Sequence, residues 1–285
     1  MAHLFGSSDH ADSAGVPWEG RRFEPNASAQ DDGSAPPRLL EALRRFRAGE
    51  LGEAEVVDAV RDSRLLVPLV AEAGETGLTP EGRVVDKSQE LSLVTVMGPD
   101  GRAVQPAFTS VAAMSAWNPD ARPVPVAGPR VALAAAGEGT DLVVLDPTSE
   151  TEFAIRRPAL WAMARSEPWT PCYLDEGVLR AFMAGAEPEP EVAAVELLPG
   201  DPEARLAGPE LVVRLRVADG LSREQLSALL LRLQQRWSAD ELIAERVDAV
   251  AAVVAIQAVF QILFMAVRFV FLGLRVRGTR WMRLA

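Results

Sequence analysis

The stretch from Glu90 to Phe108 constrains the fold more than any other part of the chain. Two strand-like runs, Glu90-Leu-Ser-Leu-Val-Thr-Val-Met and Arg102-Ala-Val-Gln-Pro-Ala-Phe, flank Gly98-Pro-Asp-Gly101. Pro and Asp favour a tight turn and the closing Gly accepts positive φ, so the spacing predicts an antiparallel hairpin. Short helical and strand patterns surround it. Leu39, Leu40, Leu43 and Phe46 recur at helical spacing until Gly49, and Val56, Val57 and Val60 mark a second short helix. Arg64-Leu-Leu-Val-Pro-Leu-Val-Ala reads as a buried strand, with Pro68 indicating an edge or a bulge. Residues 72 to 89 read as an exposed loop.

Beyond the hairpin, Thr109 or Ser110 is placed to cap a helix through Met114 and Trp117. A helix from Pro129 to about Ala136 and the strand Leu142-Val-Val-Leu follow. Asp146-Pro147 then turns the chain into Glu152-Phe-Ala-Ile-Arg, and Pro158 opens another helix. Residues 166 to 190 carry little pattern and end in Glu187-Pro-Glu-Pro, which reads as a linker. After it come strands at Val192–Leu198 and Leu211–Val217, then a helix capped by Ser222 with Leu226, Leu229, Leu230 and Leu233 on one face. A strand or helix near Leu242–Val250 completes a small β-β-α-β unit. The fold class is therefore α+β (mixed α/β): an N-terminal mixed-sheet domain with flanking helices over 38–186, a smaller C-terminal unit over 191–248, and an apolar C-terminal helix over 249–285. Residues 1–37 are rich in Ser, Asp, Gly and Pro without apolar periodicity, and read as a disordered tail.

Composition narrows the chemistry. Among 285 residues, 48% are apolar and 24% charged, an ordinary globular balance, with a net charge of −11. A duplex-binding protein needs a basic face to neutralise phosphates, so nucleic acid is not the expected partner. One cysteine, Cys172, forms no intrachain disulfide and no thiolate cluster, and the two histidines, His3 and His10, lie in the first ten residues. Ser-His and Cys-His pairs, HExxH and histidine-ligated zinc are thus excluded from the body of the chain. No catalytic, cofactor-binding or metal-ligating set emerges. The N-terminus lacks the basic region and apolar run of a signal peptide, so a cytoplasmic protein is expected.

Several residues invite a functional reading. Lys87, the sole lysine, stands three residues before Glu90 at the hairpin entry and could meet a partner; as a solvated surface pair it would be worth about 0–1 kcal/mol. Trp18 and Phe23 are apolar anchors in an otherwise polar tail, and are further candidates for partner contact. Thr109 and Ser110 have no base beside them and suit an N-cap, Asp146 suits a turn, and Cys172 has no partner for a redox role. Gly137-Glu-Gly-Thr precedes a strand instead of opening a helix, so it fails as a phosphate loop. Trp117, Trp161 and Trp169 could form a binding face, although Trp117 and Trp161, on predicted helices, read as core.

Ala249 to Val267 carry no charge, and the apolar run continues past Arg268 to Leu274. Gln257, Gln261, Arg268 and Arg275 fall on one narrow helical stripe, which suits an interface or a packed helix better than one bathed in lipid. The expectation is a helix that touches a membrane peripherally or self-associates through 249–285 without spanning, with an extension from an altered reading frame as the competing explanation.

Asp12-Ser-Ala-Gly-Val-Pro-Trp-Glu-Gly-Arg-Arg-Phe, Asp86-Lys-Ser-Gln-Glu-Leu-Ser-Leu-Val-Thr-Val and Phe108-Thr-Ser-Val-Ala-Ala-Met-Ser-Ala-Trp-Asn-Pro together resemble the SseB family, the enhanced-serine-sensitivity proteins, in the form common in actinobacteria. Leu142-Val-Val-Leu-Asp-Pro with Arg156-Arg-Pro-Ala-Leu-Trp adds a fourth stretch, and the likeness runs from about residue 12 to 248. The resemblance implies an N-terminal α/β domain followed by a smaller C-terminal domain, and brings no catalytic residues with it. The expected function is a non-catalytic intracellular binding or regulatory protein with a protein partner and no cofactor. The alternative is an enzyme or accessory factor in sulfur or serine-related amino-acid metabolism.

Overall fold

The prolines of the first sheet explain how its strands are paired. In the computed structural model, which describes residues 31–71, 76–78, 84–86, 91–256 and 267–270, β1 (Arg64–Ala71) lies between β4 (Leu91–Leu93) and β7 (Arg122–Ala127). For residues 71–93, Glu138 and those beyond 255, the backbone alone is described. Leu66 exchanges two 2.8 Å backbone hydrogen bonds with Phe108, away from β7. Its pairing with Pro125 is therefore a non-hydrogen-bonded one, and so is that of Pro68 with Pro123 two residues on. Pro68 needs no N–H there: on its other side the neighbour is changing from Phe108 to Leu93. It thus sits within a central strand, not at the edge its identity suggested, while β7 is the edge strand and holds two prolines without losing a ladder bond. A short ribbon, β2 (Thr76–Leu78) with β3 (Val84–Asp86), occupies part of the stretch read as a loop.

The expected hairpin is present. β5 (Val96–Met97) pairs antiparallel with β6 (Ala103–Ala107), and Gly101 closes the turn at φ +80°. β6 runs parallel to β8 (Leu142–Leu145), which pairs antiparallel with β9 (Phe153–Arg156). Both faces of β8 and β9 are buried, which is why LVVL and FAIR show no polar alternation. On one face Ala107, Val143, Leu145, Phe153 and Ile155 meet α1 (Pro37–Arg47), α2 (Glu53–Arg61), α4 (Gly128–Glu138) and α5 (Arg157–Arg165). On the other, Val104, Leu142, Val144 and Ala154 are covered by Leu206. The short α3 (Val111–Trp117) is capped by Ser110, whose hydroxyl accepts from Ala113 N, and Trp117 packs half-buried on Phe108. Thr109 has a different task, described below.

A second core gathers around β10 (Val192–Pro199), β11 (Leu211–Val217) and β12 (Ala249–Ile256). β11 and β12 are parallel, joined by the crossover of α7 (Arg223–Ala239) and α8 (Glu241–Arg246), so the β-β-α-β unit is real. Its last strand, however, lies at 249–256, where an apolar helix was expected, and β13 (Val267–Val270) pairs antiparallel to it. The uncharged Ala/Val run there is the signature of a parallel strand buried on both faces. The rest of that expected helix lies outside the described residues. Among the described residues, no helix is long and apolar enough to cross a membrane.

The stretch 187–190 does not part the two cores. α6 (Glu176–Ala186), which the sequence reading passed over, puts Val178, Phe182 and Ala186 into the second core. Glu189 is buried and gripped by Arg232 and Arg236 of α7, so the presumed linker is anchored. Gly185 is where α6 meets α7 most closely, since a Cβ there would lie 2.6 Å from the Trp237 indole.

Candidate functional site

The site begins with the two faces of α5. Ala159, Leu160 and Met163 point into the first core, which leaves Trp161 and Arg165, four residues apart, on the opposite side. Ser166 adopts the left-handed conformation (φ +57°) and ends the helix, and Pro168 prevents its continuation. The returning chain carries Trp169, half-buried against the first core, past the end of α5. Between these residues and the end of α8 lies a half-open cleft of about 200 Å³, walled by Trp161, Trp169, Pro158 and Pro168 and rimmed by charged groups of both signs. Trp161, expected as core, is 37% exposed, because its neighbours in sequence already fill the buried face of the helix.

Two arginines hold the cleft's walls together. Buried Arg157 donates to the carbonyls of Ala244 (2.7 Å) and Val247 (2.8 Å), fixing the C-terminus of α8, and its guanidinium lies 5.6 Å from the Trp161 ring centre. Arg246 bonds Asp175 at 2.5 Å, while the same carboxylate caps α6 through Gly177 N and Val178 N. Burial raises the Asp175 carboxyl, but the bonds from Arg246, Gly177 and Val178 outweigh it and hold the group below its ordinary value. Arg165 is the loosely held member. It lies 5.7 Å from the Trp161 ring centre, 3.9 Å from Glu167 and 4.0 Å from Glu245, distances too long for hydrogen bonds.

Several strongly perturbed titratable groups are not among those lining the cleft and belong to a network around Arg156, Asp248 and Glu210. Arg156 bonds Asp201 (2.7 Å), Gly208 O (2.9 Å) and Asp248 (3.3 Å), and Arg102 bonds Asp248 (2.9 Å) and Asp100 (2.7 Å). The Asp248 N–H donates to Glu210 at 2.6 Å. Burial, and then the charge of Asp248, push the Glu210 carboxyl up to about 8. Glu53 is raised by burial despite the Tyr173 hydroxyl that donates to it at 3.1 Å. Burial also raises Tyr173 and takes Cys172 far from a reactive thiolate. Asp201 further accepts from the backbone N–H groups of Arg205, Leu206 and Ala207, which shapes the loop covering the second sheet face. Arg156, Asp201, Glu210 and Asp248 are all buried.

Asp146 is a turn residue, as read, and also a hub. At φ +42° its carboxylate accepts from Thr109 N (2.8 Å), Thr109 Oγ1 (2.7 Å) and Thr151 Oγ1 (2.8 Å), tying the ends of β6 and β8 together. Thr109 is therefore occupied structurally and Ser110 supplies the cap. Trp117 stays with Phe108 and is not among the residues that line the cleft, whereas Trp161 and Trp169 both line it. Lys87, Glu90, Trp18 and Phe23 all lie outside the described residues. What the sequence reading missed is the acidic rim: Asp175 carries an N-cap signal before Val178 and Phe182, but Glu167 and Glu245 are 78 residues apart and come to the same arginine, Arg165, only through folding. No curated protein and no solved structure matches the chain. Residues 39–162 match the family model described as SseB protein N-terminal domain, and the match ends within α5, three residues short of Arg165.

Proposed function

We propose that the protein is a non-catalytic binding or regulatory module of the SseB type that works inside the cell through protein contacts, with the cleft beside α5 as its contact site. The observation that carries this reading is that the carboxyls of raised pKa, Glu210 and Glu53, are not among the residues lining the cleft, where the one shifted carboxyl, Asp175, is bound to Arg246. A catalytic pocket gathers groups of shifted pKa around a space for substrate. Here Glu210, Glu53, Tyr173 and Cys172 bond or pack against protein, while the cleft offers an exposed indole. Tryptophan and arginine are the residues on which protein interfaces most often depend. The cleft is also smaller than the roughly 300–1,000 Å³ of a small-molecule pocket, and fits a protruding side chain. A buried free thiol suits a reducing compartment.

The test is quantitative affinity capture with wild type and Trp161→Ala, after both are shown to melt alike. A partner held by wild type and lost from the variant supports the reading. An identical set of partners on both proteins removes the cleft from it.

A further inference from the structure

The chemistry of the cleft also selects among partners, an inference that rests on the protein-contact reading above. Its three cations are held very differently. Arg157 is buried with two carbonyl acceptors and Arg246 is locked to Asp175, but Arg165 is 52% exposed and touches its carboxylates only at 3.9 and 4.0 Å. The place it occupies is bounded by the Trp161 ring and by two carboxylates, Glu167 and Glu245, that are themselves 59% and 57% exposed. An aromatic face beside carboxylates is a cation position, favoured by the ring quadrupole and by charge. Arg165 fills it without the short, directed bonds that would secure it.

The geometry points to a partner segment that carries an arginine or lysine next to proline: its cation takes the place of Arg165 between Trp161, Glu167 and Glu245, and its prolyl ring enters the cleft walled by Trp161, Trp169, Pro158 and Pro168. When Arg165 swings into solvent, three carboxylates, Glu167, Glu245 and Asp175, face two guanidiniums, Arg246 bound to Asp175 and Arg157 bound to two carbonyls, which leaves Glu167 and Glu245 without a cation. The net charge of −11 draws a basic segment toward the protein and repels an acidic one. Extended proline-containing segments dock on aromatic walls of this kind with little conformational entropy to lose. The volume of about 200 Å³ admits one such anchor, not a folded helix.

The experiment titrates the full-length protein with a short synthetic peptide of alternating proline and arginine, read by calorimetry and by the indole N–H resonance of Trp161. Controls are the same peptide with glutamate for arginine and with alanine for proline. Saturable binding of the proline–arginine peptide is expected, at least tenfold weaker for Trp161→Ala and for the double variant Glu167→Gln/Glu245→Gln. Arg165→Ala should tighten it about threefold by vacating the cation position, and added salt should weaken it. Absence of a saturable shift, an equal response to the glutamate or alanine peptide, or unchanged affinity in Trp161→Ala overturns the inference. A cellular partner that depends on Trp161 while the peptide stays silent would sink the basic-segment proposal alone and leave the binding reading standing.

Discussion

The guanidinium of Arg156 lies 2.7 Å from the carboxylate of Asp201, and both side chains are almost wholly withdrawn from water. Arg156 ends β9 of the first core, while Asp201 opens the loop that leads to β11 of the second. The pair therefore ties β9 to the loop that leads into the second core, beside Ala204 and Leu206, which pack on the first sheet. Removing one member leaves the other buried and only partly compensated, Arg156 by Asp248 and Asp201 by the backbone N–H groups of its own loop. Arg156→Met or Asp201→Ala should each cost about 3–5 kcal/mol, measured by urea denaturation, and the double variant should lose much less than the sum. Strictly additive losses would mean that the two groups do not stabilise one another.

Glu210 gives the protein a defined pH dependence. Its folded-state pKa of about 8 lies above the ordinary 4.5, so the folded protein keeps a proton that the unfolded chain releases. Below about 4.5 both states are protonated and nothing is lost. As pH rises from there to about 8, stability falls, and beyond that the contribution is constant. Glu53, also raised, slopes the same way. Glu210→Gln retains an acceptor for the Asp248 N–H but cannot ionise. Its melting temperature relative to wild type should therefore climb between pH 5 and 8 and level off above. A difference that stays flat across that range would show that Glu210 does not hold its proton.

Gly185 should tolerate no side chain. A Cβ would stand 2.6 Å from the indole of Trp237, which is fixed by its N–H bond to Phe182 O (3.0 Å) and by the Phe182 ring with centroids 5.0 Å apart. Gly185→Ala gains helix propensity on α6 but must displace that ring, at a net cost of about 1–3 kcal/mol. Thermal melts followed by near-UV circular dichroism test this through the Trp237 signal. A variant as stable as wild type would show that the ring moves freely.

A chain ending at Asp248 should fail to fold cooperatively. It lacks β12, and with it Val250, Ala252 and Val254 of the second core and the parallel partner of β11. A chain ending at Val270 keeps that strand and its antiparallel neighbour β13. The shorter chain should bind a hydrophobic dye and lose its sharp melt, whereas the longer one should retain it. Equal melts would mean that β12 adds nothing to the second core.

Local chemistry was enough to read much of this fold. The turn at Gly98–Gly101, the Ser110 and Ser222 caps and the α7 stripe depend on residues within a few positions of one another, and short-range rules describe them. Where those rules failed, a long-range partner had overridden them. β7 has no local strand signal, since Pro123 and Pro125 interrupt it, yet an edge opposite Pro68 never needs their N–H groups. Ala249–Ile256 looked like the start of an apolar helix because one chain segment cannot report that β11, more than thirty residues earlier, will supply its hydrogen bonds. The cleft belongs wholly to this second kind. The sequence by itself determined that Trp161 and Arg165, four residues apart, share one side of α5, while the packing of Ala159, Leu160 and Met163 decided that this side, Trp161 included, lies outside the core. Only the tertiary structure decided that this side would face Glu245 and Arg246, because Arg157 reaches the end of α8 and Asp175 receives Arg246. Those bonds join residues some seventy to ninety positions apart, and no local preference encodes which distant carbonyl or carboxylate a buried guanidinium will find.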